Sequence, residues 1–123
     1  WVPDMRDFST SRKEDWDWTA MILQPDLITP VLFEEARKQL KAKGKGPLAD
    51  KARLETYHEG TCVQVMYFGP YAEEGPVIAN MHTFAREQGY ELEGKHHEIY
   101  MNDARRVAPE KLKTIIRQPI RKV

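Results

Sequence analysis

The sequence predicts an α+β domain in which a mainly antiparallel sheet carries two helices on one face. Two segments repeat apolar residues at helical spacing, and each begins with helix-start residues and ends near a glycine. The other regular segments alternate apolar and polar residues, as strands with one covered face do. The predicted element order is β-α-β-β-α-β-β. Placing both helices on one face of the sheet would cover every apolar stripe.

The first strand and the first helix are predicted between residues 16 and 44. Residues 16–23 alternate and place four side chains on one face, namely Trp16, Trp18, Ala20 and Ile22. Thr29-Pro30 is a helix-start signal, because a hydroxyl cap precedes proline at the first helical position. Gly44 offers the stop after an apolar stripe formed by Leu32, Phe33, Ala36 and Leu40.

Two strands and the second helix follow. Residues 53–59 and 61–68 both alternate, and Gly60 between them suggests antiparallel neighbours. The string Glu73-Glu74-Gly75-Pro76 begins a helix, with acids near its positive end and an early proline. Gly89 closes this helix after a stripe formed by Val77, Ile78, Met81, Phe84 and Ala85.

The last part of the chain is predicted to supply two strands. The first runs from Tyr90 to Met101, and the second covers residues 114–118 and ends at Pro119. Between them, a single helical turn is expected at Pro109. The two helix-containing halves of the chain resemble one another only in outline.

The bulk composition excludes several classes of protein. Lys plus Arg equals Asp plus Glu at 19 each, so no net charge draws these 123 residues toward nucleic acid. No apolar run approaches the roughly 20 residues that a membrane span needs. Cys62 is the single cysteine, which excludes an internal disulfide, and we expect cytoplasmic residence. The spacing of the histidines and Cys62 matches no zinc pattern, so we expect neither a metal nor a cofactor.

The candidate site is centred on the string His96-His97-Glu98-Ile99-Tyr100. Side chains alternate along a strand, so Glu98 and Tyr100 share a face. An acid beside a phenol can bind a polar ligand or move a proton. Alternatively, Glu98 pairs with a neighbouring Arg or Lys on a solvated sheet face.

Aromatic residues extend this face. Trp16, Trp18, Tyr67 and Tyr100 would expose a large apolar area if all were left in water. If they line a concave face, they form an aromatic cleft around an acid, which suits a flat apolar or cationic ligand. Alternatively, they pack against another segment or another subunit.

Three strings identify a family resemblance. Glu73-Glu74-Gly75-Pro76, the string around Glu98, and Ala108-Pro109-Glu110-Lys111-Leu112-Lys113-Thr114 with Arg117-Gln118-Pro119 resemble the GyrI-like small-molecule-binding superfamily. The best match is its stand-alone branch, in which Trp16-Asp17-Trp18-Thr19 is also a typical string. The resemblance implies two strand-helix-strand-strand modules with a ligand cleft between them.

The resemblance also implies which part of that fold is present. The 123 residues are similar to one GyrI-like domain that lacks the first strand-helix-strand part of the tandem. We therefore expect either a homo-oligomer or a complementing N-terminal segment to complete the sheet.

Relatives in this superfamily suggest the function. They include ligand-sensing domains of multidrug-responsive regulators and a DNA gyrase inhibitor, while stand-alone members hydrolyse cyclopropane-bearing, DNA-alkylating natural products. The resemblance implies that Glu98 is the central pocket residue, which in the hydrolase branch acts on water. We expect burial in the cleft to raise the pKa of Glu98 and make it a base.

The remaining site residues take supporting roles in this hypothesis. Tyr100 or Tyr67 would donate to the ligand oxygen, and Trp16 and Trp18 would hold the flat body of the ligand. Tyr71 is a lid contact, and His82 is a rim contact at the edge of the second helix. Two alternatives remain, a non-catalytic drug-binding module and a protein-interaction module that binds gyrase or a similar partner.

Overall fold

The computed structural model describes residues 16–123, which form two compact units. One unit contains residues 16–18 and 59–123, and the other contains residues 19–58. Across these residues there are two α-helices and an open antiparallel sheet of four strands. The predicted α+β class is therefore confirmed. Neither helix has the length and apolar character needed to cross a membrane.

The smaller unit contains helix α1, Pro30–Ala42. As predicted, Thr29 caps the helix, because its hydroxyl accepts a hydrogen bond from the Leu32 amide at 3.3 Å. The chain leaves the helix through Gly44, which has a φ of +63° and so adopts a conformation that favours glycine. No side chain of α1 is buried, so its apolar stripe is not covered as the sequence suggested.

Two predicted strands are wrong. Residues 16–23 and 53–59 form no regular secondary structure, and the first of these segments is almost entirely exposed. Strand propensity reflects the packing of side chains on a paired surface, and no described strand pairs with either segment. Arg53 instead pairs with Glu55 two residues along. The hairpin expected around Gly60 is therefore absent.

The sheet is built around its longest strand, β4, Lys113–Lys122. Strand β1, Cys62–Phe68, pairs with one side of β4, and β2, Tyr90–Leu92, and β3, His97–Tyr100, pair with the other side. All three pairings are antiparallel. The single strand predicted over residues 90–101 is thus two short strands separated by residues 93–96.

Pro119 does not end the last strand, which corrects the prediction. Strand β4 continues past it, because Pro119 lies where β4 passes from pairing with β3 at Arg117 to pairing with β2 at Ile120. Its carbonyl still accepts a hydrogen bond from the Glu93 amide at 2.9 Å. The missing amide hydrogen therefore falls at a break in the ladder, where proline is tolerated.

Helix α2, Gly75–Glu87, packs on one face of this sheet and forms the core with it. The stripe was predicted correctly except for Phe84, which is exposed. At the centre lies Ile116 of β4, which is 0% exposed. The buried cluster comprises Val63, Tyr67, Ile78, Met81, Ala85, Ile116 and Ile120.

The opposite face of the sheet carries a polar network. Arg117 donates to Glu59 at 2.8 Å and to Gln64 at 2.9 Å. The second oxygen of Glu59 lies 3.0 Å from His97 Nδ1. These contacts tie the chain before β1 to β4 and β3. They also account for His97, whose side chain points away from Glu98 as predicted.

Adjacent isoleucines on β4 test the assignment of the two faces. We expect Ile116→Ala to lower the free energy of unfolding by about 2–5 kcal/mol, because its methyl groups fill the closed core under α2. Ile115→Ala should cost clearly less, since Ile115 is only half-buried on the other face. Urea unfolding of both variants measures the difference, and equal losses would contradict the register.

Candidate functional site

Glu98 lies on β3 with its side chain 12% exposed. As predicted, Tyr100 points to the same face of β3 as Glu98, and its hydroxyl donates to Glu98 Oε2 at 2.8 Å. The other carboxylate oxygen, Oε1, lies 3.5 Å from His96 Nε2. Glu98 is therefore a covered acid held by neighbouring donors rather than a carboxylate on a solvated face.

The charge state of Glu98 differs from the prediction. Burial is the largest influence and raises its pKa, but hydrogen bonds with His96, Tyr100 and Glu74 and the charge of His96 together outweigh burial. The net effect is a pKa below the ordinary value for glutamate. Glu98 is thus ionised at neutral pH, because two donors stabilise its charge where the sequence suggested only an apolar surrounding.

Glu74 is a site residue that the sequence analysis missed. It precedes the first residue of α2 and is 1% exposed. A side-chain hydrogen bond between Glu74 and Glu98 also helps to lower the pKa of Glu98. Two carboxyl groups can hydrogen-bond to one another only when one of them carries a proton. The Glu-Gly-Pro string indicated only an acid at a helix start, and pairing with β3 requires the tertiary fold.

A pair of tyrosines lies beside the two acids. The Tyr71 and Tyr100 rings are 5.3 Å apart and tilted by 58°. Burial raises the pKa of both phenols, and the neighbouring acidic groups of Glu74 and Glu98 raise both further. Both hydroxyls therefore keep their protons and can donate. Tyr100 as a residue is 60% exposed, so this side of the site is open to solvent.

A third carboxylate lies near the tyrosine pair. Asp103 follows β3, and its charge helps to raise the pKa of Tyr71. Arg105 donates to both oxygens of Asp103, with a shortest distance of 2.8 Å. The side chain of Arg105 is 88% exposed. The edge of the site therefore carries Asp103, which is paired with the exposed cation of Arg105.

Tyr67 is placed for a structural role. Its ring lies in the core, and its hydroxyl donates to the Pro70 carbonyl at 2.9 Å. Gly69, with a φ of +140°, lets the chain pass over this ring, because a Cβ there would lie 2.7 Å from the Tyr67 oxygen. The bond to Pro70 holds the loop that carries Tyr71. The proposed donation by Tyr67 to a ligand would require this bond to break.

His82 is more deeply placed than a rim contact. It projects from α2 into the core, is 7% exposed, and its Nε2 has no hydrogen-bond partner among residues 16–123. Burial, and to a smaller extent the charges of His96 and Arg86, lower the pKa of His82 to about 4. The imidazole is therefore neutral at physiological pH.

The two tryptophans lie outside regular structure. Trp18 is 78% exposed, and Trp16 is half-buried. Each was expected to hold the flat body of a ligand from a strand, but residues 16–18 form none. Their contact with a ligand stays a prediction.

Removing the Tyr100 hydroxyl tests its effect on Glu98. We expect Tyr100→Phe to raise the pKa of Glu98, because burial would then be opposed by fewer donors. Carboxyl-carbon NMR titration measures this value. Tyr71→Phe is the matched control, since the Tyr71 ring touches Tyr100 and its hydroxyl has no hydrogen bond to Glu98 among the described contacts. An equal shift in both variants would contradict the assignment.

His82 should make the fold sensitive to acid. The unfolded chain binds a proton on His82 near pH 6.5 and the folded chain only near pH 4, so stability is lost as the pH falls between these values. The expected loss from His82 between about pH 7.5 and about pH 5 is about 2 kcal/mol. Urea unfolding at both pH values should show that His82→Gln removes this part of the loss. An unchanged pH dependence in the variant would contradict the lowered pKa.

Comparison with solved structures finds close similarity over most of the chain. A hydrolase from Listeria innocua matches with a TM-score of 0.71 and 36% identity, over 80% of this chain and 52% of that one. An uncharacterized conserved protein from Listeria innocua matches with a TM-score of 0.68 and 39% identity, over 80% of this chain and 50% of that one. The chain thus spans about half the length of these relatives.

No curated protein matches the chain. The family model for the GyrI-like small molecule binding domain matches residues 31–121. These residues include nearly all of α1, both acids of the site and nearly all of the sheet. The chain therefore belongs to the GyrI-like small-molecule-binding domain family.

Proposed function

We propose that this protein binds flat hydrophobic or cationic small molecules beside Glu98 and hydrolyses those that carry a strained cyclopropane ring. The observation that carries the proposal is the pair of covered carboxyl groups, Glu98 and Glu74, joined by a hydrogen bond. One acid of the pair is a base and the other is a proton donor. A base and an acid side by side are what the addition of water across a strained bond requires.

Binding would use the tyrosine pair and the surrounding charge. The exposed ring of Tyr100, tilted against Tyr71, offers an aromatic surface on which a flat ligand can stack. The Glu98 carboxylate favours a positive charge on that ligand. Trp18 is exposed and free to fold over the ligand from its irregular segment.

The chemical step follows from the two acids. Glu98 removes a proton from a water molecule, and the water oxygen bonds to a cyclopropane carbon as the carbon–carbon bond of the ring breaks. The electron pair of that bond moves to a conjugated carbonyl oxygen, which takes the proton from Glu74. The Tyr100 hydroxyl is a second donor for this oxygen, a role worth about 3 kcal/mol for a well-aimed group.

Two of the solved relatives support hydrolysis, since both are described as hydrolases from Listeria innocua. They share 36% identity with this chain, which covers 80% of its own length in each comparison. Their substrates are not transferred to this chain, which spans about half of each. The cyclopropane substrate therefore rests on the motif resemblance together with the paired acids.

A second candidate function is capture of an amphipathic cation without chemistry. It is favoured by the lowered pKa of Glu98, because a carboxylate that stays ionised in a covered site is stabilised by a cationic ligand. The same property makes Glu98 a weaker base. This candidate and the hydrolase share one site and differ in turnover.

We further propose cytoplasmic residence, which the single Cys62 supports, and association with a second copy or a complementing segment. The support for association is that Tyr100 and Trp18 are largely exposed. A partner surface over these rings would enclose a ligand bound beside them. In the described unit alone, that side of the site is open to solvent.

Glu98→Gln separates the two candidate functions. On a cyclopropane electrophile, we expect turnover to fall roughly 100-fold or more, because the amide cannot accept the proton from water. Binding of a neutral ligand, followed by tryptophan fluorescence, should change little, while binding of a cation should weaken.

The matched control for this substitution is Glu87→Gln at the end of α2, away from the paired acids. It should leave both readouts unchanged. Equal turnover in wild type and Glu98→Gln would remove Glu98 from the mechanism and leave the capture function. If no small molecule quenched the fluorescence at any concentration, both candidates would fail and a protein partner would be favoured.

A further inference from the structure

Thr114 occupies the centre of the sheet face that carries the candidate site. The register of β4 places it directly opposite Tyr67 on β1 and Tyr100 on β3. Residues directly opposite in an antiparallel sheet point to the same face. Its neighbour two residues along, Ile116, lies opposite Glu98 in the same way. Thr114 is therefore on the face of Glu98, one residue pair away from it.

The hydroxyl of Thr114 is buried without a partner. Thr114 is 0% exposed, and its Oγ1 has no hydrogen bond to any residue in the range 16–123. The residues two positions before and after it, Leu112 and Ile116, are apolar and buried. A buried hydroxyl without a partner opposes folding, and valine would fill the same space without that cost.

A second buried polar side chain on the same strand, the amide of Gln118, gives a comparison. Gln118 is also 0% exposed, but its Nε2 donates to the Glu93 carbonyl at 2.7 Å and to the Pro119 carbonyl at 3.1 Å. The bond to Glu93 fastens β4 to the chain between β2 and β3, so Gln118 has a structural role. No comparable bond within the described residues accounts for the hydroxyl of Thr114.

We infer that Thr114 is a positioning residue for the water molecule that Glu98 activates, an inference that rests on the proposed hydrolase function. The hydroxyl bonds to the water and orients it between the central strand and the Glu98 carboxylate. The water then gives one proton to Glu98 while its oxygen bonds to the ring carbon. Thr114 itself is not chemically altered, since it neither gains nor loses a proton in the step.

The test compares Thr114→Val with wild type on a cyclopropane electrophile. Valine keeps the shape and removes the hydroxyl, so kcat should fall roughly 10- to 100-fold while KM changes little, because the water and not the substrate loses its contact. Thr114→Ser should restore most of the loss. Thr83→Val is the control for the same substitution, since its hydroxyl bonds only within α2, to the Ala79 carbonyl at 3.0 Å.

Stability gives an independent readout. If the hydroxyl is kept for function, Thr114→Val should unfold at the same or a higher urea concentration than wild type. A clearly lower unfolding midpoint would show a structural role and overturn the inference. Turnover by wild type with an unchanged kcat in Thr114→Val would overturn this inference alone. Absence of turnover by wild type would overturn the proposed hydrolysis together with it.

Discussion

The site depends on one constraint, which is that the negative charge of Glu98 is covered by protein. A buried carboxylate is costly unless donors replace the water it has lost. His96 comes from the chain just before β3, Tyr100 from the same strand, and Glu74 from the start of α2. The packing of α2 on the sheet is therefore coupled to the charge state of Glu98, and the acid that completes the pair is supplied by a helix terminus.

Strand β4 organises the surroundings of that charge. It is the only described strand that pairs with all the others, so it sets the positions of the other three strands relative to one another. Along one face it alternates Thr114, Ile116 and Gln118, all of them fully buried. The polar members of this row flank an apolar centre. The strand thus supplies the core packing and the polar groups of the site at once.

The two faces of the sheet handle their polar residues differently. On the outer face, which is the one away from α2, the charge of Glu59 is balanced by Arg117 and His97. This is a structural use of a carboxylate. On the inner face, which α2 covers, no lysine or arginine forms an ion pair with Glu98 among the described contacts. Phenol, imidazole and a second carboxyl surround Glu98 instead, and all three can exchange protons. This difference in partners is why the inner face is the candidate site.

The sequence by itself determined both helices, the Thr29 cap, β1, the part of β4 before Pro119, and the shared face of Glu98 and Tyr100, because these follow from local spacing and capping. It could not determine that residues 16–23 and 53–59 are unpaired, since alternation alone does not supply a partner strand. The lowered pKa of Glu98 and its bond to Glu74 were decided by the tertiary structure, because residues 24 positions apart meet only when α2 packs on the sheet. Hydrogen bonds across such a distance leave no periodic signal in the chain.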